Sequence, residues 1–436
     1  MLADTCMTVP QIAPNDVASR RLLQRLPRLQ LVERQLVRLN SLLRQILPDN
    51  RFYANKLAEH PPQLASLDEW SQYPFTVKDE LIPTSDMPQH ARNLTYSPAH
   101  YVRFHRTSGT HGEPLVVLDT AADWQWWIDT WQYVLDAAAI DVTDRIAMAF
   151  SFGPFIGFWT ANDALVARGA LVIPGGGMST RARLDLILKE QVTVVCCTPS
   201  YALHLAAVAA EQHIDIGASA VRCLIVAGEP GGSLPAVRQR IESAWNATVI
   251  DHAGATEIGP WGFADSAGRG LRVVETEFIA EFIRVDDQQP AASGQLAELV
   301  LTSLGRTGAP VLRYRTGDLV RPTWTTDVEN QFVFLEGGVL GRVDDMMIVR
   351  GVNVFPSAVE QILREFPTLH EYRLTVRRDG EMDSLCIEIE ADSDLATKIR
   401  HLLQLRLGLS VDLQRVDTGT LPRFEHKGQR FIDLRK

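Results

Sequence analysis

Cysteine is scarce in this chain and poorly placed for crosslinking. There are five, an odd number, and Cys196 and Cys197 stand side by side in an apolar run. No C-x-x-C spacing occurs, so neither a disulfide framework nor a zinc site is supported. Positive charge is also short. Lysine and arginine total 43 against 53 acidic residues, a formal net charge of −10. That balance argues against a nucleic-acid partner, which calls for a basic excess. No run of about 18 apolar residues is present, so no membrane span is expected. The first residues lack the basic-then-apolar layout of a secretory signal, and the cytoplasm is the expected compartment. What remains is ordinary for a globular protein. The 436 residues are 46% hydrophobic and 22% charged, enough for two or three domains around a large core.

Hydrophobic periodicity divides the chain. Val32, Leu36, Leu39, Leu43 and Ile46 recur at spacings of four and three, which predicts a helix over 20–47 with arginines between the apolar positions. Packing onto its own domain is the expected fate of this basic amphipathic helix, ahead of a membrane surface. Further on, strand-like runs (170–173, 192–197, 221–227, 247–250) alternate with helical ones (180–190, 200–213). Strands separated by helices of that length predict α/β layers of mainly parallel sheet. From about Glu275 the pattern shifts to alternating strands with charged turns. Near Gly341 a unit of roughly 90 residues begins, with a strand, a helix started by Pro356, two strands and a second helix.

Short polar motifs fall at the ends of these strands, where α/β proteins place ligands. Thr107-Ser108-Gly109-Thr110-His111-Gly112-Glu113-Pro114 separates two strand-like runs. Glycines and hydroxyls in such a loop can wrap backbone N–H groups around phosphate oxygens. It is not the common triphosphate loop, because no Gly-Lys-Ser/Thr follows. Gly228-Glu229-Pro230 and Ala253-Gly254-Ala255-Thr256-Glu257 follow two of the central strands. Tyr314-Arg315-Thr316-Gly317-Asp318, Gly341-Arg342-Val343-Asp344-Asp345 and Leu421-Pro422-Arg423 with Lys427 complete the series, and Pro74-Phe75-Thr76-Val77-Lys78 precedes it.

Taken in order, these segments resemble the adenylate-forming enzyme superfamily, most closely its phenylacetate–coenzyme A ligase branch, over roughly residues 50–436. The resemblance implies a large N-terminal domain of layered sheets and helices (1–341) and a small mobile α+β domain (342–436). It implies activation of a carboxylic acid by ATP and Mg²⁺, then transfer to coenzyme A or to a carrier-protein phosphopantetheine. Ser108, Gly109, Thr110 and Gly112 would hold the β- and γ-phosphates. Gly228, Glu229, Pro230, Ala253 and Gly254 would line the adenine slot. Thr256 would contact the α-phosphate and Glu257 would take the magnesium ion. Asp318 suits the ribose, since one carboxylate can accept from both hydroxyls. Arg342 would add fixed positive charge, Asp344 falls at the domain hinge, and Lys427 would reach the reacting carboxylate and α-phosphate.

Two positions depart from the family pattern. Glu113 stands where a lysine is usual, and Ala253 where a tyrosine stacks on the base. Phe150, Phe152, Phe155 and Phe158 around Gly157 fall in the segment that forms the acid pocket in similar enzymes. Flat rings with glycine gaps suit an aromatic or planar acid. Trp124, Trp127 and Trp131 sit at helical spacing, as core or as a subunit contact that would serve a homodimer. His252 is expected to pack or hydrogen-bond and not to act as an acid or base, because the substrate carboxylate is already ionised. Two other readings stay open. One is an adenylating enzyme serving a carrier protein or an amine, and the other is a silent ATP- or acid-binding homologue.

Overall fold

The computed structural model describes residues 16–83, 90–107, 114–264, 267–324, 328–344, 347–349, 352–354, 356–366, 368–369, 371–379, 382–407, 411–421 and 430–435. Its frame is a nine-stranded sheet. Five strands run parallel, in the order Leu171–Pro174, Arg145–Met148, Val194–Cys197, Cys223–Val226, Thr248–Ala255. The helices Trp159–Arg168, Thr180–Lys189, Pro199–Glu211 and Pro235–Trp245 make the crossovers between them. Prolines at the first turns of the last two suit that position, because the missing N–H has no intrahelical partner there.

The expected run of mainly parallel strands holds over only half the sheet. Gly259–Phe263, Gly270–Val273, Phe334–Glu336 and Pro322–Thr323 continue it antiparallel. The reason is connection length. Only three residues, Thr256-Glu257-Ile258, join Thr248–Ala255 to Gly259–Phe263, too few for the crossover a parallel partner requires. The chain must reverse, and the reversal puts Glu257 on a tight turn. A second, four-stranded antiparallel sheet contains Phe278–Ile283, Ala297–Ser303, Tyr314–Val320 and Gly341–Arg342.

The helix expected over 20–47 is two helices, Val17–Gln24 and Arg28–Ile46, broken at Pro27. Proline has no N–H to give and disfavours helical geometry in the residue before it, so the helix restarts there. Both pieces pack on the large unit. Arg20 pairs with Asp136 (2.6 Å), Arg28 with Glu275 (2.6 Å) and Arg38 with Glu277 (2.6 Å), while Gln35 donates to the Glu275 and Phe278 carbonyls. Among the described residues, no helix is long and apolar enough to cross a membrane.

Helix Ala121–Ala137 opens with a capping box between Thr120 and Asp123 and buries Trp124, Trp127 and Trp131 at 5% exposure or less. The tryptophan stripe is therefore core and leaves no ring surface for a second subunit. The C-terminal unit has its own core under a sheet ordered Asp412–Val416, Met382–Glu390, Tyr372–Asp379, Phe431–Asp433, with helices Pro356–Arg364 and Ser393–Leu407.

Candidate active site

Strand order decides where a ligand can sit. After Arg145–Met148 the chain moves to one side of that strand, and after Leu171–Pro174 it returns to the other. Such a switch point leaves a crevice beyond the carboxyl ends of the strands. The segment 150–158 and the turns after Cys197, Val226 and Ala255 all emerge there. Strands Tyr101–Arg106 and Val116–Thr120 form an antiparallel hairpin that brings in the phosphate-loop candidate. Thr107 closes its base, with Leu115 N–H donating to the Thr107 hydroxyl (2.9 Å) and Thr107 N–H to the Leu115 carbonyl (3.0 Å). Ser108, Gly109, Thr110, Gly112 and the anomalous Glu113 lie outside the described residues, as does Lys427.

Thr256 and Glu257 are both buried on their turn. Glu257 faces the Lys78 ammonium at 3.2 Å. Behind the turn, the fully buried Arg306 donates to the carbonyls of Thr256 (3.2 Å) and Glu257 (2.7 Å), and its guanidinium is anchored on Asp119 (2.8 Å from Nε, 2.7 Å from Nη2). Asp119 also accepts from Trp127 Nε1 (3.1 Å), with His105 Nδ1 at 3.8 Å. Burial works against the ionised Asp119, but the Arg306 charge and His105 outweigh it and hold the carboxyl below the usual range. Lys78 carries no signal of its own beyond its motif. Nothing in the sequence around Arg306 and Asp119 announces their pairing, since 187 positions separate them.

Asp318 and Arg342 lie opposite each other in the ladder between Tyr314–Val320 and Gly341–Arg342. Arg342 Nη1 donates to Asp318 Oδ1 (3.0 Å) and to the Thr316 carbonyl (2.8 Å), and Nη2 to Asp344 Oδ2 (3.1 Å). Burial pushes the Asp318 carboxyl up to about 6, against the pull of Arg342, and the nearby Glu257 and Glu298 charges add to the rise. Glu257, Asp318 and Arg342 thus share one electrostatic neighbourhood, together with Tyr314. Arg342 stays in the large unit's ladder, and exposed Asp344 follows it at once. The motif at 74–78 is held here too. Thr76 exchanges backbone bonds with Arg313 and Arg315, and Phe75 lies under the Arg313 guanidinium at 4.0 Å.

Gly228 takes a left-handed φ of +92°, and Glu229 turns back to accept from Ser200 N–H (2.6 Å), capping helix Pro199–Glu211. Gly228 and Pro230 are exposed, as is Gly254, while Ala253 is half-buried. On the acid side, Phe158 is core. Phe150 packs edge-on against it (5.4 Å) and against Phe152 (6.4 Å), and Phe152 meets Trp159 (4.6 Å). Gly157 has φ +40°, and a Cβ there would come within 2.3 Å of the Phe150 ring, so only glycine fits. Phe155 points outward and is 47% exposed.

This arrangement suits a magnesium nucleotide. Among the described residues no three His, Cys, Asp or Glu side chains converge as a closed metal cage, and buried Glu257 is the motif carboxylate on the turn. One protein carboxylate with phosphate oxygens and water is how Mg²⁺ is commonly held on a nucleotide. Lys78 marks the same spot as one that favours a cation.

Comparison with known proteins agrees with this reading. A family described as AMP-binding enzyme matches residues 48–289, and the AMP-binding enzyme C-terminal domain matches 351–435. The chain belongs to this family of adenylate-forming enzymes. It is 32% identical to the phenylacetate–coenzyme A ligase of Escherichia coli, over 86% of this chain and 88% of that protein. It is 30% identical to that of Pseudomonas putida, over 92% and 94%. The fold superposes on 2-hydroxyisobutyryl-CoA ligase, in its postadenylation state with R3-HIB-AMP, at a TM-score of 0.87 and 26% identity, covering 95% and 91% of the two chains. Against the same ligase in its thioesterification state the score is 0.71 at 27% identity, over 96% and 92%. The whole chain therefore matches the postadenylation arrangement more closely.

Proposed function

We propose that this protein is an ATP- and Mg²⁺-dependent ligase that adenylates a carboxylic acid and passes the acyl group to coenzyme A. The observation that carries the reading is the convergence of Glu257 with the Asp318–Arg342 pair, on a turn that Arg306 ties to Asp119 in the strand following the 107–114 loop. The resemblance to phenylacetate–coenzyme A ligases over most of the chain supports it.

The substrate carboxylate attacks the α-phosphorus of ATP, pyrophosphate leaves, and an acyl-adenylate remains. The coenzyme A thiol then attacks the acyl carbon and releases AMP. The protein's work is positioning and charge compensation. Asp318 accepts from the ribose hydroxyls, and Arg342 holds that carboxylate in place while adding positive charge. Glu257 would hold Mg²⁺, which when bound neutralises charge on the phosphate oxygens. Ser108, Gly109, Thr110 and Gly112 supply donors to the outer phosphates, and Thr256 to the inner one. Lys427 brings its ammonium to the carboxylate and α-phosphate for the first step and leaves with the C-terminal unit for the second, with Asp344 at the pivot and Arg342 left behind in the ladder. Gly228, Glu229, Pro230, Ala253 and Gly254 border the base. Phe150, Phe152 and the bare Gly157 shape a flat pocket for an aromatic acid.

Carboxylate-dependent ATP–pyrophosphate exchange over aromatic and aliphatic acids tests this, with coenzyme A then added to each acid that responds. Exchange followed by thioester formation is expected. Exchange without a thioester would move the acceptor to a carrier protein, and no exchange with any acid would overturn the reading.

A further inference from the structure

In the chain, Lys427 stands between Leu421 and Arg430, and both of these are tied to one corner of the C-terminal sheet. Strands Tyr372–Asp379 and Met382–Glu390 pair antiparallel with Tyr372 opposite Ile389, which sets Glu371 beside Glu390. Glu390 N–H donates to the Glu371 carbonyl (2.9 Å), so the two side chains leave from neighbouring positions. Both residues are buried, Glu371 at 5% exposure and Glu390 at 0%. Buried carboxylates are costly unless they are hydrogen-bonded, and adjacent ones also repel each other. Here each holds one end of the lysine segment. Glu390 Oε1 accepts from Leu421 N–H (2.8 Å). Glu371 accepts from Arg430 through both oxygens, from Nε at 2.7 Å and from Nη2 at 3.1 Å. The Arg430 guanidinium also lies over the Tyr372 ring (5.3 Å), and the Arg430 carbonyl accepts from Leu374 N–H (2.6 Å). An arginine that is both bidentate and stacked is fixed in orientation as well as in place.

Chain geometry makes this anchor a limit on Lys427. The lysine is three positions from Arg430 and six from Leu421. Three extended residues span at most about 11 Å, so the Arg430 foot bounds where the ammonium can be delivered. Freeing that foot spreads the lysine over many more positions.

We propose that Glu371 and Arg430 are positioning residues for adenylation. Their ion pair, with Glu390 on the other foot, aims Lys427 at the reacting carboxylate and the α-phosphate. This rests on the adenylating function and the Lys427 role proposed above. Misplacing a reacting group by about 1 Å can cost about a hundredfold in rate, so a loosened foot should slow adenylation by about tenfold or more. Thioester formation, for which Lys427 has withdrawn, should be spared.

Arg430→Met, which keeps the bulk and loses the fork, tests this in the full chain with the acid of the panel that exchanges fastest. Pyrophosphate exchange at saturating ATP and acid should fall about tenfold or more. ATP affinity should hold, as should thioester formation from coenzyme A and the synthetic adenylate of that acid. Arg430→Lys, which keeps the charge, should restore part of the exchange, and Glu371→Gln should lower it. Arg430→Met combined with Lys427→Ala should lose no more than Lys427→Ala alone, because the effect passes through the lysine. Should Arg430→Met fail to fold, Glu371→Gln takes the same measurements. Exchange unmoved by these variants, equal losses in both half-reactions, or losses that multiply in the double variant would overturn the proposal. Full exchange in Lys427→Ala would instead remove the lysine from the step, and this proposal with it. No exchange with any acid would overturn the adenylating function itself.

Discussion

Replacing Arg306 by Met should damage both stability and metal use, and for separable reasons. The guanidinium is fully buried and its partner Asp119 is 1% exposed, so the variant leaves a carboxylate in the core without its countercharge. Breaking one side of a buried pair costs about 3–5 kcal/mol. Trp127 Nε1 still donates to Asp119, which places the expected loss toward the lower end of that range. Urea unfolding followed by tryptophan fluorescence reads it directly, because Trp127 lies 5.5 Å from the guanidinium. Asp119→Asn together with Arg306→Met removes the stranded charge and should recover much of the loss. The pH sign follows from Asp119. Its folded carboxyl lies below the ordinary value, so its contribution is present above the usual carboxylate range and lost as pH falls through the folded value. In Arg306→Met that dependence should weaken, since burial is then opposed by His105 and the Trp127 donor without the guanidinium charge. The two bonds from Arg306 to the Thr256 and Glu257 carbonyls set the turn that presents Glu257. The Mg²⁺ concentration for half-maximal exchange should therefore rise several-fold. A loss below about 1 kcal/mol, or a double variant no more stable than the single, would refute the electrostatic reasoning. A destabilised variant with unchanged Mg²⁺ dependence would confine Arg306 to the core.

Four further predictions follow from the site. Asp318→Ala should weaken adenosine binding at least tenfold, since a carboxylate accepting from two hydroxyls is lost; unaltered affinity in a titration would remove Asp318 from the ribose. In the natural protein, adenosine affinity should hold above neutral pH and decline as pH falls through about 6, where the Asp318 carboxyl takes up a proton and can accept less; Asp318→Asn should flatten that profile. Lys427→Ala should lower acid-dependent pyrophosphate exchange about a hundredfold or more while sparing ATP binding, and an unchanged exchange rate would exclude Lys427 from the first step. Gly157→Ala, whose Cβ would press on Phe150, should raise KM for the acid and leave KM for ATP in place, and equal effects on both would show the ring to be only structural.

Much of the architecture was legible in order and kind. The alternation of strands and helices across 145–255 follows from short apolar runs bounded by turn residues. Gly228-Glu229-Pro230 and Thr256-Glu257 follow strand ends as α/β topology requires, whereas Tyr314 to Asp318 lies within an antiparallel strand. Two local signals override the periodicity. Pro27 breaks the first helix, and the three residues between Ala255 and Gly259 forbid a parallel successor. The antiparallel half of the sheet was therefore implied by a spacing, although periodicity alone did not reveal it.

By itself, then, the sequence determined which motifs exist, their order, and the elements that carry them, because helix and strand patterning, proline and glycine act over a few residues. Only the tertiary structure decided which charges meet. Arg306 reaches Asp119 across 187 positions, Lys78 faces Glu257, and Asp318 falls opposite Arg342 because of sheet register. It also turned the tryptophan stripe inward. Such pairings are set by packing and register between distant segments, and no local composition encodes them.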